Sequence, residues 1–221
     1  MLPLLSAGAR AVRESCPGAL IAAHFTEPQS PGLYRWYAEL LRDGGLDYDV
    51  FASSWYPFWH GSRENLAAVL TEIHRDFGKR VMVMETAWPY TPEDTDFFPN
   101  SFDGSGGPWD YPLSTEGQTR ALLDLAETLA GVPGCLGLCY WEGAWISVGG
   151  ASREENQVLW ERFGSGWASS YAAVYDPEDA GLYYGGSSWD NMAFFDARGR
   201  ALDSLGVFRL IRAQIPPYRE A

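Results

Sequence analysis

Cysteine is scarce: Cys16, Cys135 and Cys139 are the only three in 221 residues. So low and odd a count builds no disulfide framework. Cys135 and Cys139 fall four apart in an expected strand, on one face but about 13 Å apart, too far to bridge. Buried free thiols are favoured over a metal pair, and a bond from Cys16 to either partner stays open. Positive charge is short as well. With 16 Lys and Arg against 29 Asp and Glu, the net charge is −13 and the pI near 4.5. That balance argues against nucleic acid or an anionic membrane as partner. No stretch of about 18 apolar residues occurs, so no helix is expected to span a bilayer. The opening MLPLLSAGARAVRESCPG lacks a basic region ahead of its apolar stretch and reads as an amphipathic helix rather than a signal peptide. Repeats, low-complexity tracts and linkers are missing too.

What is present is a globular composition with many aromatic rings. Apolar residues make up 46% and charged residues 20%, and the length suits one large domain or two small ones. Aromatics reach 15%, with ten Trp. Many sit beside Gly, Pro and polar residues, in WYPFWHG (55–61), WPY (88–90) and YWEGAW (140–145). A single Trp is as well explained by core packing. Such clusters point to flat apolar faces with a polar tip, on which sugar rings stack.

Along the chain, helical periodicity alternates with short β-rich runs. Helices are expected over 2–16, 32–43, 62–77, 115–131 and 202–213, with strands over 18–25, 47–56, 79–85 and 134–142. Ser62 is a candidate N-cap, and Ser114 opens the helix over 115–131. The strands are apolar on both sides, the signature of parallel strands covered by helices. The fold class is therefore α/β, with four βα units visible where a complete (β/α)8 TIM barrel has eight and about 250 residues.

In such folds, function lies at the C-terminal strand ends. Here those ends carry His24, Thr26 and Glu27; then Trp55, Tyr56 and Trp59; then Glu85, Thr86 and Trp88; then Trp141, Glu142 and Trp145. Each end combines polar and aromatic chemistry, as a carbohydrate-active face would. VMVMETAWPY (81–90) stops on the carboxylate of Glu85, and glycoside hydrolysis usually takes two carboxylates about 5–10 Å apart. The plainer reading of Glu85 is a strand-end salt bridge.

The strings HFTEP, DYDVFASSWYPFWHGSRENL, GKRVMVMETAWPYTPEDTD, GLCYWEGAWISVGG and GSGWASSYAAVYDPEDAG together resemble the arabinogalactan endo-β-1,4-galactanases of glycoside hydrolase family 53, their bacterial branch most. Trp55 stands where the family has Tyr, Gly143 where it has Pro, and Val174 where it has Glu. The resemblance implies a retaining (β/α)8 glycosidase acting on β-1,4-galactan or arabinogalactan, of which 1–221 would be the C-terminal half, strands five to eight, with a long eighth loop over about 146–195. It implies Glu85 as nucleophile, with the acid/base Glu expected upstream on a Gly-Asn-Glu strand end that the chain does not contain. Glu27 aligns with a variable position, and Glu142 reads as structural or substrate-orienting.

The resemblance further implies His24 and Tyr56 beside the nucleophile, and Trp59, Trp88 and Trp141 as galactose platforms. It implies a structural calcium ion held by Asp94, Asp96 and Asn100 of EDTDFFPN with Ser187 and Asp190 of GGSSWDN, Phe98 standing where the family has His. Oxygen ligands at this spacing on a loop suit a hard cation, though an acidic loop is more often simply solvated. GSGWASSYAA (164–173) is expected to pack near the groove. An extracellular location, and either the missing N-terminal half or a second copy as partner, complete the expectation. The competing readings are a non-catalytic galactan-binding or poorly folding piece, and a related β-glycanase acting on a mannan or xylan.

Overall fold

The structure, a computed structural model, describes residues 1–147, 149–163, 174 and 187–215. GSGWASSYAA and most of the segment after it lie outside the described residues. Two compact units are present, the first from residues 1–86, 121–141 and 208–221, the second from 87–120 and 142–207.

The first unit holds a four-stranded sheet in the order β1-β2-β3-β4, every pair parallel. The strands are β1 (Ala22–Phe25), β2 (Val50–Ser54), β3 (Arg80–Glu85) and β4 (Cys135–Leu138). They alternate with helices α1 (Leu2–Ser15), α2 (Leu33–Asp43), α3 (Arg63–Phe77) and α4 (Thr115–Ala130). All five residues of β2 are buried, as a central parallel strand requires. Phe51 of β2 and Val81 and Val83 of β3 pack with Leu66, Leu70 and Ile73 of α3 and with Leu125 and Leu129 of α4.

Local chemistry sets the helix ends. The Ser62 hydroxyl accepts the Asn65 amide at 3.1 Å and caps α3, as its position predicts. Gly78 ends α3 in the left-handed region at φ 65, which a side chain would resist. Gly134, at φ 72, leads into β4, and a Cβ there would lie 2.2 Å from His74 Nδ1. Strand register carries one irregularity that positions the site. Ser53 pairs with Val83, but Ser54 pairs with Glu85, so Met84 is passed over. This bulge sets the Glu85 side chain beside Ser54.

In the second unit, Gln118 lies fully buried, its Nε2 donating to the carbonyls of Trp88 and Met192 at 3.0 Å and its Oε1 accepting the Ser204 hydroxyl. Asn191 donates to the Phe102 carbonyl at 2.8 Å. A helix, α5 (Arg153–Phe163), lies inside the stretch expected as a long loop, with Asn156 and Trp160 buried. Among the described residues, 3-10 turns at Asp190–Met192 and Asp203–Gly206 precede α6 (Val207–Gln214).

α1 forms over nearly the span expected of it and lies largely exposed: of its apolar residues only Ala9 is buried, and Leu4 is 79% exposed. One expectation changes. The strands are shorter than their apolar runs, because residues such as Tyr48 and Trp55 are buried in the connections rather than in the ladder. The three thiols are free, with Cys135 buried and Cys16 exposed.

Candidate active site

Glu85 ends β3, and its side chain is 24% exposed. Its two oxygens are treated differently. Oε2 accepts the Ser54 hydroxyl at 3.0 Å and the Tyr56 hydroxyl at 3.2 Å. Oε1 faces His24 Nδ1 at 3.9 Å and, among the described residues, receives no hydrogen bond. Since the single Ser54 proton goes to Glu85, Ser54 Oγ accepts from His24 Nε2 at 2.9 Å. That hydrogen-bond order makes Nε2 a protonated nitrogen of His24, with Nδ1 turned to the carboxylate. The arrangement holds one carboxylate oxygen and leaves the other open, as a nucleophile needs.

The neighbouring rings divide into exposed and buried. Trp59 is 47% exposed and stands edge-on to Phe58 and to Tyr56, with centroids 4.8 and 5.4 Å apart. Trp141 is 37% exposed, and its backbone amide donates to the Thr86 carbonyl at 2.9 Å. Both offer a face to solvent. Trp88 does not. It is 1% exposed, packed among Phe102, Trp109 and Tyr111, and its indole N–H donates to the Pro112 carbonyl at 3.0 Å. The expected galactose platform at Trp88 is therefore corrected: the indole is a core anchor of the second unit.

Sequence reasoning missed two members. Ser54, which bridges His24 and Glu85, is the last residue of β2 and was visible only as one of two serines before Trp55. His60, in WYPFWHG, accepts the Tyr56 amide on Nδ1 at 3.1 Å and meets the Thr26 hydroxyl through Nε2 at 3.3 Å. Burial pushes its pKa down, partly opposed by the carboxylates of Glu27 and Glu85. Glu27 is itself a non-glycine residue in the left-handed region, at φ 68.

The acidic loop belongs to the second unit. Asp96 Oδ2 accepts the Ser187 amide at 2.9 Å, and its Oδ1 accepts the Phe98 amide at 2.8 Å. Asp190 Oδ2 accepts the Thr95 hydroxyl. Asn100 Oδ1 and Asp190 Oδ1 are buried with no hydrogen-bond partner among the described residues. Burial, with Asp96 and Asp94 nearby, pushes the Asp190 carboxyl up to about 6, and burial likewise raises Asp96. Among the described residues, no three His, Cys, Asp or Glu side chains gather closely enough to hold an ion by themselves. The donor set that fits a hard cation is mixed: carboxylate, amide and hydroxyl oxygens, two of them orphaned.

The family model described as Glycosyl hydrolase family 53 matches residues 1–208. The endo-beta-1,4-galactanase of Bacillus subtilis (strain 168) is 52% identical over 223 residues, covering 99% of this chain and 52% of that protein. The arabinogalactan endo-beta-1,4-galactanase of Cellvibrio japonicus (strain Ueda107) is 28% identical, covering 99% and 50%. The solved GH53 catalytic domain of Ignisphaera aggregans superposes with a TM-score of 0.74 at 30% identity, over 95% of this chain and 51% of that one. The chain thus spans about half the length of the two curated relatives. With four parallel βα units, a family-wide match and this structural likeness, the chain is a partial (β/α)8 barrel and belongs to glycosyl hydrolase family 53.

Proposed function

We propose that this chain supplies the nucleophile side of a retaining endo-β-1,4-galactanase. The observation that carries the reading is the Glu85 carboxylate at a strand end, with Oε2 held by Ser54 and Tyr56 and Oε1 open. Oε1 attacks the anomeric carbon as the bond to the departing sugar oxygen breaks, giving a glycosyl ester. Water then cleaves that ester, and the configuration is retained overall. The Ser54 and Tyr56 hydroxyls fix the carboxylate's rotation, and His24 holds Ser54 in turn. Trp59 and Trp141 offer their exposed faces to galactose rings, a role supported by their exposure. Galactan is uncharged, so a net charge of −13 does not repel it.

The second carboxyl, which protonates the leaving oxygen, is read as the Glu of an upstream Gly-Asn-Glu strand end, and Ser54, Tyr56 and His24 are the neighbours that hold Glu85. Edge strands β1 and β4 need cover. Further barrel chain or a second copy supplies it, and a dimer that dissociates on dilution in sedimentation velocity favours the copy. In the second unit, Asp94, Asp96, Asn100, Ser187 and Asp190 would hold calcium, which supplies charge neutralisation for the acidic loop. A polymeric substrate implies an extracellular site of action. No described helix is long and apolar enough to cross a membrane.

Dinitrophenyl glycosides leave without protonation, so they report on Glu85 alone. The chain is expected to release dinitrophenol from a dinitrophenyl β-galactobioside with retained configuration, and Glu85→Gln to abolish it. Inversion, or activity that survives Glu85→Gln, overturns the reading. The exposed Trp59 and Trp141 favour one rival, galactan binding without chemistry, which predicts affinity for galactan and no release.

A further inference from the structure

We propose that His60 is the positioning residue for Tyr56, clamping its backbone so that the phenol reaches Glu85, and that protonating the imidazole opens the clamp. The inference rests on the reading of Glu85 as nucleophile.

Residue 60 holds Tyr56 from both sides of its peptide frame. The Tyr56 carbonyl accepts the His60 amide at 2.9 Å, and the Tyr56 amide donates to His60 Nδ1 at 3.1 Å. An amide has a proton to give and none to take, so Nδ1 must be bare. The neutral imidazole then carries its proton on Nε2, which donates to Thr26 Oγ1 at 3.3 Å. His60 is 6% exposed and touches neither the Glu85 carboxylate nor open solvent to any extent. Its edge contacts are aromatic, to the Tyr56 ring at 5.6 Å and the Trp59 ring at 6.3 Å. Tyr56 and Trp59 are a hydrogen-bond donor to the nucleophile and an exposed platform, so one imidazole anchors the turn that carries both.

A proton added to Nδ1 would set two donors against each other, Nδ1–H and the Tyr56 N–H. The acidic groups facing the ring are Glu27, after β1, and Glu85, at the end of β3, and both favour the charged form. Burial of the ring opposes them and lowers its pKa, so the clamp stays closed at neutral pH. Below that range the Tyr56 amide loses its acceptor, and the phenol is free to leave Oε2.

Two readouts test this. In the ¹⁵N-labelled chain at pH 7, through-hydrogen-bond coupling between the Tyr56 amide nitrogen and His60 Nδ1 is expected, and it should vanish as the imidazole titrates. A proton on Nδ1 at pH 7, or a Tyr56 amide indifferent to the titration, overturns the proposal whether or not the chain is active. Labelling of Glu85 by a dinitrophenyl 2-deoxy-2-fluoro-β-galactoside gives the second readout. His60→Asn, whose side-chain oxygen can replace Nδ1 as acceptor, should keep the neutral-pH rate and flatten the acid limb. His60→Leu should slow labelling about tenfold or more at neutral pH, the gap to the parent closing as the parent's imidazole is protonated. Equal rates and equal acid limbs in all three proteins overturn it. Failure of every protein to label, with the coupling present, counts against the nucleophile reading and leaves the clamp standing.

Discussion

The chemistry concentrates on few atoms. Tyr56 gives Glu85 Oε2 a phenolic proton at 3.2 Å, a hydrogen bond to a charged group and worth about 1.5–3 kcal/mol. Tyr56→Phe is therefore expected to lower the rate on dinitrophenyl galactobioside roughly 10- to 100-fold, with little change in the thermal midpoint. A rate equal to the parent's would remove Tyr56 from the mechanism. Buried His60 adds a pH signature. Its folded pKa lies below the ordinary 6.5, so its neutral form contributes stability that is complete above 6.5 and is lost as pH falls through and below that value. Urea midpoints should show the parent losing its advantage over His60→Asn on going from pH 7.5 to 5.5; a constant difference would contradict the assignment. At this scale the sequence was partly legible. Glu85, His24 and Tyr56 stood at strand ends and could be picked out. Ser54 could not, because it reaches Glu85 through a bulge that no pattern of residue types announces. Trp88 sits three residues beyond Glu85, and nothing in ETAWPY tells an indole facing a groove from one turned into a core.

Elements were easier to read than their surroundings. Periodicity found α1 to α4, the four strands and their parallel order, because each depends on local spacing of apolar residues. It missed α5, whose REENQVLWERF carries few apolar positions. In α1 the spacing shows only that apolar residues share a side and not that anything covers them, and Leu4 is 79% exposed. The capping contacts give direct tests. Ser62→Ala removes the acceptor for the Asn65 amide and should lower stability by about 1 kcal/mol in urea unfolding. Gly134→Ala should cost more, about 1–3 kcal/mol, since it adds a Cβ 2.2 Å from His74 Nδ1 at a left-handed position. If Gly134→Ala matches Ser62→Ala, the close approach of His74 is not a constraint.

For the whole molecule, the composition excluded partners before it suggested any: acidic, aromatic-rich, with no run long enough for a bilayer. The barrel class followed from alternation, while the acidic loop's role depended on contacts over long sequence separations, Asp96 to Ser187 and Thr95 to Asp190. Among the described residues, Asn100 Oδ1 and Asp190 Oδ1 stay buried and unpaired. Calcium at 100 times its dissociation constant stabilises by about 2.7 kcal/mol, about 5–10 °C in thermal midpoint for a chain of this size. The midpoint at pH 7 should rise by that amount with calcium and fall back with chelator; an unchanged midpoint would leave the loop without an ion.

The most direct test of the account is covalent. Incubated with a dinitrophenyl 2-deoxy-2-fluoro-β-galactobioside, the chain should gain one fluorinated galactobiosyl group, two sugar rings, and peptide mass spectrometry should place it on Glu85. Adduct on another residue, or labelling that persists in Glu85→Gln, would contradict it.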